Sequence, residues 1–405
     1  MQPGVRPGIL TTMAGRNRRT LAVTLAAASA IAALVPGTAR ADDEPAPLRS
    51  FVLSTTGDFL PHLRINAVAR RHGKGTTHDY TPFFSRIKPL LAEADLAICH
   101  LEPPIAPPGT RITADPMWGA PASIAASMVS LGYDRCSTAT NHSGDRGRGG
   151  VIATINAFEA AGLGFSGTGR TPEEAQQPPI IEVNGVRVAH LAYTFGFTGE
   201  RRLHTRTTAR VNLIRSAQII LDATDARSRG AEVVIVSMHW GNEYVSRVTP
   251  SQRRIAQTVT ASGAVDLIVG SHAHVLQPIE QVNGKWVVYG MGNILADQRR
   301  TGTATGTQDG VVVQLTFTER DGGGFDVGRP VVFPTWVRSG SFQVFNTLAS
   351  VNNPALSKPA RWQLARSLAR VRRVLGAYVP APAPPPTTVT TTVATTALLS
   401  GSAAP

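Results

Sequence analysis

Cysteine is almost missing from this chain: Cys99 and Cys136 are the only two in 405 residues. That is too few for a thiolate metal cluster, so any metal chemistry must rest on oxygen and nitrogen donors. The pair could form one disulfide or stay as two buried thiols. Long apolar runs are equally scarce. Only Leu21 to Val35 approaches one, and it is too short and Ala-rich for a membrane span, so no segment reaches the roughly 20 apolar residues that a span needs. Acids are outnumbered, 27 against 40 Lys and Arg. No internal repeat is present, and no linker splits the chain before its final Pro-rich stretch.

Both ends read as something other than a folded domain. Arg16, Arg18 and Arg19 precede the apolar run, and Ala39-Arg40-Ala41 follows it as a small-x-small cleavage pattern. Residues 1–41 therefore read as a signal peptide cut after Ala41, with a retained anchor as the alternative. The expected location is outside the cytoplasmic membrane, extracellular or attached to the cell envelope. Arg18-Arg19-Thr20-Leu21 loosely matches a twin-arginine signal and Ala22 departs from it, so the export route stays open. Removing this leader takes away five Arg and no acid, which leaves 35 basic and 27 acidic residues, a charge of +8. Such a surplus favours anionic partners. After a short linker, residues 42–50, the main domain is expected over 51–345. Beyond Val379, residues 380–405 are Pro, Thr and Ala without charge or periodicity, the composition of a disordered spacer.

Between these ends, short β-branched runs alternate with helical stretches. Phe51–Thr55, Ala97–Cys99, Arg135–Ala139, Val233–Met238 and Leu267–Val269 read as strands. Phe83–Ala94, Ile124–Leu131, Val151–Ala161, Leu213–Ser228 and Ser251–Ser262 read as helices. This alternation implies an α/β fold with a mostly parallel sheet and helices outside it. Asn184-Gly185 and Asn283-Gly284 mark hairpins. Further strands are expected over Val311–Phe317 and Val331–Phe333. In the segment 346–379, Pro359–Leu375 reads as a basic helix packing Trp362, Ala365, Leu368, Val371 and Leu375 on the domain. Arg361, Arg366, Arg370 and Arg373 would then form either a solvated face or a surface for polymer or membrane.

The ends of the strands carry the chemistry. The first strand runs into Gly57-Asp58, the second into His100-Leu101-Glu102, the third into Asn141-His142. The next two finish at His239 and at His272-Ala273-His274, whose imidazoles, one residue apart, share a face. Each alone has an ordinary explanation as a turn former or a packed histidine, but five consecutive strands deliver carboxylate, amide and imidazole to one edge, where open α/β sheets bind ligands. Oxygen and nitrogen donors of this kind suit Mn, Fe, Zn or Co, and six of them exceed one tetrahedral site, so two divalent ions are expected. His142, three residues before Asp145, is placed to protonate a leaving oxygen while Asp145 orients its ring.

The motifs in order are Gly57-Asp58, Leu101-Glu102-Pro103-Pro104, Asn141-His142-x-x-Asp145-x-Gly147, Gly167-Thr168-Gly169-Arg170, His239-Trp240-Gly241-x-Glu243, His272-x-His274-x-x-Gln277 and Tyr289-x-x-Gly292-Asn293. Together, from about residue 51 to 317, they resemble the CapA family of capsule and poly-γ-glutamate synthesis proteins. The resemblance implies a calcineurin-like metallophosphoesterase fold, a central β-sandwich flanked by helices in αββα layers. It also implies a role in making or exporting an anionic capsule or envelope polymer, as a dinuclear phosphoester hydrolase or as a non-catalytic accessory or polymer-binding subunit. By the same resemblance Asp58, Glu102, Asn141, His239, His272 and His274 fall on metal positions. His142 and Asp145 take the catalytic ones, with Glu243, Gln277 and Asn293 nearby. His100 stands where the family usually carries Asn and is an additional candidate ligand; His62 is too far along to complete an Asp-x-His pair. The implied partners are the polymer or a phosphorylated intermediate, and a membrane-bound polymer synthase complex, with no nucleic acid.

Overall fold

A computed structural model describes residues 48–177, 179–197, 210–298 and 306–382. The expected leader (1–41) and the tail beyond residue 382 lie outside the described residues. In chain order the strands are β1 Ser50–Phe59, β2 Leu96–Leu101, β3 Arg135–Ser137, β4 Gly164–Ser166, β5 Thr168–Gly169, β6 Ile180–Val183, β7 Val186–Thr194, β8 Arg210–Val211 and β9 Val233–His239. They continue with β10 Leu267–Ser271, β11 Ile279–Val282, β12 Lys285–Val288, β13 Asn293–Leu295, β14 Asp309–Glu319, β15 Phe325–Val327, β16 Val331–Val337 and β17 Val344–Asn346.

The strands assemble into two large sheets and not the single sheet that alternation alone implies. One has the order β17-β16-β14-β1-β2-β3-β4, with β13 added to β1 and β15 to β14; the other is β11-β12-β10-β9-β7-β6. Strands β1 to β4 run parallel, as do β7, β9, β10 and β12. Both Asn-Gly hairpins form, joining β6 to β7 and β11 to β12. Parity along each strand explains how the sheets meet. Leu96 and Ile98 of β2, Val233 and Ile235 of β9, and Leu267 and Val269 of β10 share one core between the sheets. The alternate residues Ala97, Cys99 and Leu101 pack instead on helices Ser123–Leu131 and Gly147–Ala161. Val234, Val236 and Ile268 pack on helices Ser216–Ser228 and Pro250–Ala261. The result is the αββα layering expected from the resemblance. Among the described residues no helix is long and apolar enough to cross a membrane.

Cys99 and Cys136 sit directly opposite each other on β2 and β3 and form a disulfide beneath the helical layer, which closes the alternative left open by their spacing.

Three local expectations are corrected. The helix expected over Phe83–Ala94 is a 3-10 turn, Thr81–Phe84, and a short helix, Lys88–Ala92, because Pro89 can begin a helix but not continue one. A helix over Leu63–His72, absent from the sequence reading, has Arg70, Arg71 and His72 in its last turn, where cations suit the helix dipole. The helix Lys358–Leu375 buries Ala360, Leu364, Ser367, Leu368, Val371 and Leu375, while Trp362 is 54% exposed and Ala365 faces out. Polar contacts set this rotation. Ser367 donates to Asp309 at 2.7 Å, and Arg370, read from the sequence as solvent-facing, grips the same buried carboxylate at 2.5 and 2.8 Å.

Removing one partner of a buried ion pair strands the other charge. Arg370→Ala is expected to cost about 2–3 kcal/mol in urea unfolding, and adding Asp309→Asn should recover part of the loss. An unchanged midpoint in the single variant would show that Asp309 does not anchor the helix.

Candidate metal centre

Asp58 faces the opposing sheet because β1 carries a bulge. Thr55 pairs with Ile98 but Asp58 with His100, three residues against two, which turns Asp58 to the inner face and Phe59 to the helices. Gly57 makes the bulge feasible. A Cβ there would lie 2.0 Å from the Gly292 carbonyl oxygen, so no side chain fits. His100, on the inner parity of β2, and Glu102 just beyond that strand face the end of β9 across the sandwich. His272 and His274 both have left-handed backbone, φ 92° and 55°, in the tight turn that ends β10. Such strain in residues other than glycine concentrates at functional sites.

These elements converge. His100 Nε2 lies 2.9 Å from His239 Nδ1 and 3.4 Å from Asp58 Oδ1. His274 Nδ1 lies 3.5 Å from Asp58 Oδ2 and its Nε2 lies 3.7 Å from Glu102 Oε1. His239 Nε2 faces the Asn141 amide oxygen at 2.8 Å. Two groups result, Asp58/His100/His239 and Glu102/His272/His274, and within each the ligand atoms lie within 4.8 Å of one another. All six residues are buried.

The surroundings brace this set. The His272 amide donates to both Asp58 oxygens at 3.1 Å, the Ser137 hydroxyl contacts His100 Nδ1, and His274 Nδ1 lies 3.0 Å from Asn293 Oδ1. His142 Nδ1–H donates to Asp145 at 2.8 Å, and the Trp118 amide donates to the same carboxylate oxygen at 2.8 Å. The remaining nitrogen of His142 lies 4.0 Å from Glu102.

Three buried polar atoms have no protein partner: both carboxylate oxygens of Glu102 and Nδ1 of His272. Buried groups are rarely left so. Burial pulls His100 down to about 4, His272 to about 3 and His239 well below its ordinary value, so all three imidazoles are neutral with lone pairs to offer. Burial likewise pushes Glu102 up to about 8. His274 resists its own burial because Glu102 and Asp58 hold its proton, raising it to about 10. Burial opposes the charge of His142 too, but the bond to Asp145 and the nearby Glu102 raise it overall. Neutral imidazoles around unpartnered carboxylate oxygens fit divalent cations, which would supply the positive charge that the lone proton on His274 supplies without them.

Of the residues singled out from sequence, Asp58, His100, Glu102, Asn141, His142, Asp145, His239, His272, His274 and Asn293 come together here. Two stand apart. Gln277 is fully buried but points away, bonding Gln252 at 2.7 Å and the Val245 carbonyl at 2.9 Å, so it ties down the loop before the helix Pro250–Ala261. Glu243 is exposed and acts only at a distance, its charge raising the pKa of Glu102 and His274. Sequence reasoning missed Trp118, Ser137 and Phe195. Phe195 is half exposed and lies 4.6 Å from the His272 ring; counting β7 as a sixth parallel strand end would have found it. Trp118 sits in an irregular loop with no period to mark it.

The model of the bacterial capsule synthesis protein family, PGA_cap, matches residues 52–298. The chain belongs to this family. PGA_cap relatives include the capsule biosynthesis protein CapA of Bacillus anthracis, 27% identical over 65% of this chain and 62% of that protein. The PGA biosynthesis protein CapA of Bacillus subtilis is 31% identical over 49% of this chain and 51% of its own length. A probable polyglutamine synthesis accessory protein of Mycobacterium tuberculosis is 28% identical over 41% and 46%. The chain thus spans from about half to under two thirds of the curated relatives it matches. Among solved structures it is similar to the calcineurin-like phosphoesterase YfkN of Bacillus subtilis, with a TM-score of 0.43 and 12% identity over 81% of this chain and 98% of that one. A second is the NAD nucleotidase of Haemophilus influenzae, TM-score 0.41 and 11% identity over 83% and 65%.

Because Gly57 admits no Cβ, Gly57→Ala must displace Asp58 or the Gly292 backbone. A loss of about 1–3 kcal/mol in thermal unfolding is expected, the range for overpacking at a site that cannot yield. A variant as stable as the parent would contradict this close approach.

Proposed function

We propose that this chain hydrolyses a phosphoester during the assembly or export of an anionic envelope polymer of the poly-γ-glutamate type, using two divalent ions. The observation that carries the reading is the pair of three-residue groups meeting around the unpartnered oxygens of Glu102. In this reading Asp58, His100 and His239 hold one ion and Glu102, His272 and His274 the other, with the Asn141 amide oxygen beside His239. Bound ions of the Mn, Fe, Zn or Co type supply Lewis acidity and neutralise charge on phosphoryl oxygens. The chain does the rest. Asp58 and Glu102 fix the spacing of the site, the neutral imidazoles orient it, and the sandwich excludes water from its inner side. His142 carries a proton on Nε2, raised in pKa by Asp145 and Glu102, and delivers it to the leaving oxygen. Asp145, fixed by the Trp118 amide, keeps that ring in register. Residues 1–41 as a leader cleaved after Ala41 would put this activity outside the cytoplasmic membrane, next to a polymer synthase complex.

A second reading is a non-catalytic accessory subunit that uses the same residues for a structural ion. The accessory role named for the Mycobacterium tuberculosis relative favours it.

Three variants separate the readings. His272→Ala and His274→Ala are each expected to lower bound metal by about one ion in elemental analysis, with loss of metal-linked thermal stabilisation. His142→Asn should keep its metal and lose roughly two to four orders of magnitude in turnover of phosphomonoester and phosphodiester substrates. Full metal content in both His272 and His274 variants would sink the metal assignment. Metal present with no hydrolysis in the parent would select the accessory role.

A further inference from the structure

The charge of this chain is unevenly distributed. Asp326 is the last acid, and Arg329, Arg338, Lys358, Arg361, Arg366, Arg370, Arg372 and Arg373 follow it. From residue 42 to Asp326 there are 27 basic and 27 acidic residues, so the surplus of +8 comes entirely from these eight. The helix Lys358–Leu375 carries six of them. Arg370 is neutralised by Asp309, and Arg361 is spent on carbonyls of the preceding loop, the nearest at 2.6 Å. The others face water. At about 100° per residue, Lys358, Trp362, Arg366 and Arg373 fall within about 40° of one line, opposite the buried Leu364 and Val371. This stripe runs roughly 22 Å at 1.5 Å per residue. Trp362, 54% exposed, carries the Arg366 guanidinium over its ring at 4.6 Å and so holds that cation in place along the stripe.

We propose that this stripe docks an extended polycarboxylate chain, the polymer on whose assembly or export the proposed function rests. Charge complementarity selects the occupant. Nothing acidic lies on the helix, and the Pro/Thr/Ala tail, 380–405, has no charge with which to cover it. A flexible polyanion satisfies a line of cations better than a compact ligand would. A lipid surface fits less well, because the outward positions between the cations are Gln363, Ala365 and Ala369, with no large aliphatic side chain to insert. The stripe is also separate from the metal centre, since its residues take no part in either three-residue group. It can therefore hold polymer while that centre works.

The test is binding of purified poly-γ-glutamate to the full chain at low and high salt. The parent protein should bind, with affinity falling as salt rises. Lys358→Gln/Arg366→Gln/Arg373→Gln should weaken binding about tenfold or more, as expected for loss of three aligned charges. All three positions are exposed, so melting temperature and metal content should not change. Arg70→Gln/Arg71→Gln/Arg254→Gln removes the same charge from other exposed positions and should bind nearly as the parent does. Equal weakening in both triple variants would mean that net charge and not the stripe attracts the polymer, and would overturn the proposal. So would absence of binding by the parent, or binding to DNA or to phosphatidylglycerol vesicles in preference to poly-γ-glutamate. Failure here leaves metal content and hydrolysis untouched, and failure of the phosphoesterase assay leaves polymer binding untouched, so the two readings fail separately.

Discussion

Two carboxylates, Asp58 and Glu102, are buried where the two sheets meet, and water cannot stabilise their charge there. An unpaired buried carboxylate costs several kcal/mol even after relaxation. The architecture at this edge answers that cost. Three strand ends of one sheet and two of the other bring imidazoles and amides to the same place, and the His272 backbone amide turns its proton toward Asp58. In the absence of a cation, a proton on His274 and the raised pKa of Glu102 share the compensation. The same donors, freed of that proton, form a ready cage for divalent ions. Folding and ligand chemistry are therefore two solutions to one electrostatic constraint.

The sandwich interior reflects it in layers. Away from the site, the inner faces of β1, β2, β9, β10 and β14 are Val, Leu, Ile and Phe. Toward the site the same faces carry Ser137, His190, Ser237, His100 and His239, with His190 and Ser237 paired at 2.9 Å. Apolar packing at one end supplies stability, and the polar end is held in geometry by it. The bulge at Gly57 is the hinge between the two regimes, since it alone moves Asp58 from the helical face to the inner one. The disulfide between β2 and β3 lies on the opposite face of the strand that carries His100, and so fastens the strands that present His100 and Asn141.

A basic helix packed on this scaffold completes the molecule. Asp309 reaches it from the strand β14 and fixes its rotation through Ser367 and Arg370. The rest of its charge is left outward, apart from a body whose own charges balance. Catalytic and electrostatic functions are thus carried by separate parts of one chain.

Much was legible in the sequence because it depends on local pattern. Strand ends read as Gly57-Asp58, Asn141-His142 and His272-Ala273-His274 kept their places, since β-branched runs define strands and the residues that stop them fall on one edge of a parallel sheet. The hairpins followed from Asn-Gly, whose backbone preference is intrinsic. Tertiary structure decided the rest, where distant groups compete for a side chain. Gln277 has the spacing of a site residue, yet Gln252 and the Val245 carbonyl capture its amide. Trp362 has the period of a buried residue, yet Asp309 pulls the helix round and leaves it in water. Cys99 and Cys136 could be assigned only once β2 and β3 were seen side by side. Periodicity reports which residues can share a face; which face turns inward is set by partners hundreds of positions away, because burial of one charge outweighs the placement of one apolar ring.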